Sequence, residues 1–247
     1  MKMMNNFKNS GQTLPLAGQN SHSASVISGG QTYMTAETAA TMRAMAVAAD
    51  LDLPRYLLAG EIQRLLDYVP DLRQRLLLET LWNTGGRINE VLSLTPGDFH
   101  LHGHQAFVVL RTLKQRQRGR GRPVRGERIS RAVALPDPHY QRRVREYIAT
   151  FGLRQHERFW PLSSDNTPRN WISAAITRAA DDNVTFPVDP ITCHTFRHSF
   201  AMHLLLHGVP LKVIQAYLGH SRVSSTEIYT RIFTLDLNWL GSVRFSQ

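Results

Sequence analysis

Five side chains able to do chemistry crowd into the last fifth of this 247-residue chain. They are His194, Arg197 and His198 in the run His194-Thr195-Phe196-Arg197-His198, His220 in Leu218-Gly219-His220, and Tyr229, all within 36 residues. An imidazole moves protons near neutral pH, a guanidinium forks onto phosphate oxygens, and a phenol becomes a nucleophile once its proton has somewhere to go. That set suits covalent attack on a phosphodiester. Tyr229 would be the nucleophile, Arg197 would hold the phosphate and the histidines would move or share protons. A second fork, Arg87, stands in Thr84-Gly85-Gly86-Arg87-Ile88-Asn89-Glu90.

Each residue also has a plainer reading. His194 and His198 share a helical face, as metal ligands often do. The glutamate that would follow the first histidine of a zincin is Thr195 here, and no carboxylate nearby in sequence offers a third ligand, so no metal is expected. A semi-buried Arg197 needs an anionic partner, and no acid lies close in sequence. Tyr147 and Tyr217, spaced helically among aliphatics, read as core. Tyr229 differs, lying between the small polar run Ser224–Thr226 and Arg231.

The elements that must position these groups follow from periodicity and punctuation. Residues 59–69 and 71–84 carry Leu, Ile and Val at helical spacing, and Gly85-Gly86 ends the second helix. Ile88, Val91, Leu92 and Leu94 form a short amphipathic helix with Arg87 at its start. Residues 107–113 and 132–135 read as two strands of a hairpin whose long tip is arginine-rich. Helices are expected over 139–151, over 168–180 with Thr167 as cap and Pro168 in first position, from His194 to His207, and from Pro210 to Gly219. Ser224 and Glu227 fit a capping box, which puts Tyr229 on a short helix. Upstream, residues 35–51 read as a helix capped by Thr35, and 1–33 as a polar tail; 236–247 read as a small docking segment bearing Leu237 and Trp239. The fold class is mainly α with a small antiparallel β-sheet (α+β), divided into a flexible tail with a short helix (1–55), a catalytic domain (56–235) and the docking segment.

Composition narrows the partner. The formal net charge is +10, and of 29 basic residues only four are lysines, Lys2, Lys8, Lys114 and Lys212. From Arg111 to Arg131 there are eight arginines and Lys114 against the single acid Glu127. Arginine is the better fork for phosphate, so a nucleic acid is the expected partner, with Arg116, Arg118, Arg120 and Arg122 on the hairpin tip and Arg169 and Arg178 on the helix 168–180 as contacts. A solvated basic loop is the alternative reading of that segment. The lone cysteine, Cys193, excludes an intrachain disulfide, and neither a signal peptide nor a membrane-spanning run is present, so a cytoplasmic location and no membrane partner are expected.

Taken in order, Arg87 with Glu90, Lys114, His194-Arg197-His198, Leu218-Gly219-His220 and Tyr229 resemble the motifs of the tyrosine site-specific recombinases (the phage integrase family) and, within it, the D-type multimer resolvases of F-like plasmids. The resemblance covers roughly residues 57–235. It implies a DNA strand-exchange enzyme that works through a 3′-phosphotyrosyl link made by Tyr229. Arg87 and Arg197 would clamp the phosphate, with His194 as proton acceptor or phosphate donor and His220 as phosphate donor. Lys114 would be general acid to the leaving 5′ oxygen or a plain phosphate contact. Glu90 and His198 would support, Glu90 by orienting Arg87 or His194. It implies double-stranded DNA as partner, a homotetramer on two paired sites, and no cofactor. Inversion, integration and a non-catalytic DNA-binding regulator are the rival outcomes. One departure stands out: most members carry a separate helical domain ahead of the catalytic one, and only about 55 residues precede it here.

Overall fold

The computed structural model describes residues 34–113, 128–162, 164 and 166–235. The tail 1–33, the hairpin tip with Lys114, Arg116, Arg118, Arg120 and Arg122, and the docking segment 236–247 lie outside the described residues. Nine α-helices and three strands are described: α1 Ala36–Ala48, α2 Ala59–Asp67, α3 Leu72–Thr84, α4 Ile88–Leu92, β1 Phe99–His100, β2 Phe107–Leu113, β3 Arg128–Ala134, α5 Pro138–Phe151, α6 Asn166–Asp181, α7 Cys193–Leu206, α8 Leu211–Leu218 and α9 Ser224–Glu227. Tyr229 lies on the 3-10 helix Ile228–Leu235.

The core is built on α3 against α7. Leu76, Leu77, Leu78 and Leu81 of α3 are buried, and so are Phe196, Phe200, Ala201 and Met202 of α7. Because α3 is covered on nearly all sides, its polar residues need internal partners. Thr80 Oγ1 donates to Leu76 O and accepts from Tyr140 Oη. Glu79 accepts from Arg75 Nε at 3.2 Å and Arg143 Nε at 2.7 Å. Asp71 caps the start of α3 by accepting from the amides of Arg73 and Gln74, and Gly85, at φ 58°, ends it. That left-handed turn delivers the chain to Arg87.

The sheet is antiparallel in the order β1-β2-β3. Val108 pairs with Val133, Leu110 with Arg131 and Thr112 with Ile129. Directly opposed residues share a face, so Arg131 and Thr112 stand on the side that carries the buried Val108, Leu110 and Val133. β3 begins at Arg128 and not at Ala132 as the apolar run suggests. The ladder with β2 continues through Ser130 and Arg131 because Arg131 finds acceptors inside the protein.

Two further expectations are corrected, and one strand has no counterpart among them. Helix α6 starts at Asn166, which places Thr167 inside it; the first-turn amides of a helix have no intrahelical acceptor, so Pro168 fits there, and the Asn166 amide donates to Ser164 Oγ. No capping box forms at Ser224: Val223 precedes α9 in helical conformation, and the chain tightens directly into the 3-10 helix. The edge strand β1 spans two residues, too few for alternation to register.

Helix α1 has Thr35 as its cap, accepting from the Thr38 amide, as its sequence predicts. It buries Ala39, Met42 and Ala46 and packs against the 3-10 helix that holds Tyr229. Arg43 clasps Glu61 of α2 with two hydrogen bonds, at 2.8 and 2.5 Å. No helix among the described residues is long and apolar enough to cross a membrane.

Candidate active site

Four separate segments bring the predicted groups together. Arg87 caps the start of α4, Arg197 and His198 lie on α7, His220 follows the left-handed turn at Gly219 that ends α8, and Tyr229 comes from the 3-10 helix. Arg197 is only 4% exposed. Its Nη1 donates to Gly85 O at 2.6 Å and its Nη2 to Leu218 O at 2.5 Å, so one guanidinium ties the turn before Arg87 to the turn before His220. Among the described residues no carboxylate pairs with it. Burial, then the charges of Arg87 and Arg131, pull it down to about 10, still far above neutral pH. The site therefore holds positive charge that an anion would stabilise.

Glu90 is buried at the centre of the cationic cluster. It accepts from the Arg87 amide at 2.8 Å and from Arg87 Nη1 at 3.0 Å. It also accepts from Arg131 Nη1 at 3.0 Å and Nη2 at 2.5 Å, and from the Thr112 hydroxyl. Burial works to raise its carboxyl, but the hydrogen bonds and charge of Arg131, with help from Thr112 and the Arg87 amide, outweigh this and hold it at about 2. Arg87 keeps 38% of its side chain exposed, with Nη2 3.5 Å from Gly219 O.

Tyr229 is 1% exposed and shares a hydrogen bond of 2.8 Å with His198 Nδ1. In the tautomer with its proton on Nε2, His198 accepts from the phenol. Burial, then the neighbouring His194 and Arg197, lower His198 to about 4, so the ring is neutral at pH 7 and free to accept. Burial pushes the Tyr229 phenol up to about 12, against the opposing pull of Arg197. His220 Nδ1 lies 3.0 Å from Thr226 Oγ1, and burial followed by Arg197 and Arg87 lowers it to about 4. His194 is exposed, and partial burial with the charges of Arg197, Arg87 and Arg169 also lowers it.

Arg169 is exposed, and Arg178 donates to Tyr68 O at 2.9 Å across to α2. The rings of His194 and His198 lie 6.1 Å apart, and among the described residues no three metal-ligating side chains converge. The sequence reading missed Arg131, Thr112 and Thr226 as partners of the site. A signal for Arg131 existed: it alternates with Val133 and Leu135, so it takes an inward slot if the strand begins early.

A mainly helical body with a small antiparallel sheet, carrying arginines, histidines and a tyrosine around one site, defines a class that comparison identifies. The phage integrase family matches residues 55–235. A resolvase of Escherichia coli is 47% identical over 223 residues, 84% of this chain and 85% of that protein. Tyrosine recombinase XerD of Corynebacterium glutamicum is 32% identical over 79% of this chain and 66% of its own. Among solved structures, the XerH recombinase bound to palindromic difH, a post-cleavage complex, superposes with a TM-score of 0.58 at 23% identity, covering 78% of this chain. This chain spans 54% of that one. The XerA recombinase gives 0.55 at 20% identity, covering 84% of this chain and 76% of its own. The chain belongs to the phage integrase family: it is a tyrosine recombinase, an enzyme of site-specific recombination.

Proposed function

We propose that this protein cleaves and rejoins duplex DNA through a 3′-phosphotyrosyl intermediate and resolves plasmid multimers, working in the cytoplasm as a homotetramer on two paired sites. The observation that carries the reading is the meeting of Tyr229 and His198 beside Arg197, a buried guanidinium with no carboxylate partner among the described residues. The Tyr229 oxygen attacks phosphorus and its proton passes to an imidazole. The bond from phosphorus to the 5′ oxygen breaks, and Lys114 protonates that leaving oxygen. Arg87 and Arg197 stabilise the charge gathering on the non-bridging oxygens, each charge-assisted bond contributing about 1.5–3 kcal/mol. His220 donates to the phosphate, and His194 takes the phenolic proton or donates to the phosphate. The link conserves the phosphodiester's energy, so no nucleotide is consumed.

A tyrosine that is 1% exposed cannot bring its hydroxyl to a DNA phosphate. Attack therefore requires the 3-10 helix to shift, trading the contact with His198 for one with phosphorus. The arginine-rich hairpin tip supplies sequence-independent affinity. Support for resolution comes from the resolvase relative, which matches along most of both chains. Support for DNA as partner comes from the difH-bound state of XerH.

The test is covalent trapping. Incubating the protein with supercoiled DNA of its source replicon and then denaturing should leave DNA-linked protein that disappears in Tyr229→Phe. Tight binding without an adduct would refute the catalytic reading. Products from plasmids carrying directly or inversely repeated sites separate resolution from inversion.

A further inference from the structure

Arg131 has no part in the mechanism assigned to Tyr229, yet it touches three of the pieces that make the site. Its side chain is 9% exposed. The guanidinium grips Glu90 at 2.5 and 3.0 Å, and Nη1 also reaches Thr112 Oγ1 at 3.1 Å. Nε donates to Tyr217 O, in the last turn of α8, at 2.6 Å. The same group lies flat against the turn that carries His220, where a Cβ on Gly219 would stand 3.1 Å from Cδ and Nη1 of Arg131.

The charges decide what this contact does. A carboxylate shared with a single arginine neutralises it. Glu90 is shared between two, and its shorter contact goes to Arg131. The trio of Arg87, Glu90 and Arg131 thus carries a net positive charge, and Arg87 is the partly exposed member that can present it. Without Arg131, Glu90 would turn its whole charge on Arg87 and compete with any phosphate for it.

We propose that Arg131 is a positioning residue of the recombination site: it holds Glu90 so that Arg87 keeps its charge for the scissile phosphate, and it fixes the turn that presents His220. The inference rests on the site assigned above. It also gives strand β3 a task beyond carrying the basic tip, since β3 delivers the counter-charge for Glu90 through its register with β2.

The experiment measures the rate of adduct formation by the full chain on supercoiled DNA of its source replicon, together with DNA affinity and thermal midpoint. Arg131→Gln is expected to slow the adduct about 100-fold, the scale for a misplaced catalytic group, with affinity unchanged. Adding Glu90→Gln to that variant removes the competing carboxylate and should recover about tenfold, as coupled neighbours do. A part played only in folding would show in the thermal midpoint and leave the adduct rate at the wild-type value at temperatures where the variant is folded. Should Arg131→Gln melt below the assay temperature, Arg131→Lys, which keeps the charge and loses the fork, is expected to cleave slowly at wild-type affinity. Wild-type rates in a folded Arg131 variant, or a double variant no faster than Arg131→Gln, would overturn the inference alone. A wild-type protein that forms no adduct would overturn the recombinase mechanism and this inference with it.

Discussion

Replacing Gly85 by alanine should damage both stability and cleavage, and Gly152→Ala supplies a matched control. Both glycines end a helix in left-handed conformation, at φ 58° and 60°. Each substitution therefore meets the same backbone cost of about 1–2 kcal/mol. They differ in space. A Cβ at Gly85 would lie 2.3 Å from Cδ1 of Phe200, whereas nothing stands within 4 Å of one at Gly152. Phe200 is buried where α7 meets α3, so its ring cannot swing aside without disturbing close-packed neighbours. Overpacking of this kind adds about 1–3 kcal/mol. Gly85→Ala should thus lose about 2–5 kcal/mol in all, which at about 2–4 °C per kcal/mol for a domain of this size gives a clear separation in melting temperature. The Gly85 carbonyl also accepts from Arg197 and the turn leads into Arg87, so adduct formation should fall well beyond the change seen in Gly152→Ala. Urea denaturation and covalent trapping of both variants check this. Equal destabilisation by the two alanines would refute the packing argument, and a Gly85→Ala protein that cleaves at the control's rate would refute the link from turn to site.

Glu90 gives a pH signature. Its folded carboxyl sits at about 2 against an ordinary 4.5, so its ionised form stabilises the fold above about pH 4.5, and that stability is lost as pH falls toward 2. The contribution is about 3 kcal/mol. The stability gap between wild type and Glu90→Gln, measured in urea at pH 6, 4 and 3, should shrink on acidification; a constant gap would contradict the assignment. Converting Arg116, Arg118, Arg120 and Arg122 to alanine should weaken DNA binding and flatten the plot of log affinity against log salt by up to about 3–4 in slope, if each meets a phosphate; an unchanged slope would remove the tip from the interface. Truncation after Leu235 should leave cleavage intact and impair assembly of the tetramer. This cut spares Ile232, which is fully buried. A truncated chain that recombines at the full rate would dismiss the docking segment.

Much of this protein could be read along the chain, because the interactions that shape its elements are local. Asp71 and Gly85 bound α3, Thr35 caps α1 and Gly219 ends α8, each through hydrogen bonds or torsions spanning a few residues. β2 matched its predicted bounds because its run of β-branched and aliphatic residues is flanked in sequence by polar residues. The chemical types were legible for the same reason: a phenol, imidazoles and guanidiniums in a fixed order imply phosphodiester chemistry wherever the chain then folds. Local signals failed where polar residues turned out to have distant partners. Arg131 read as part of a basic loop, and only its pairing opposite Leu110 and its contact with Glu90, 41 residues away, made it an inward strand residue. The burial of Tyr229 was equally hidden, since it depends on α1, on α7 and on a histidine 31 residues upstream. The sequence by itself determined which groups this protein could use and which helices and strands would carry them. Tertiary structure alone decided that one carboxylate is shared by two arginines, that a third arginine has no counter-ion among the described residues, and that the tyrosine rests against a neutral histidine. Register, burial and charge balance come from residues far apart in the chain, and no window of a few residues contains them.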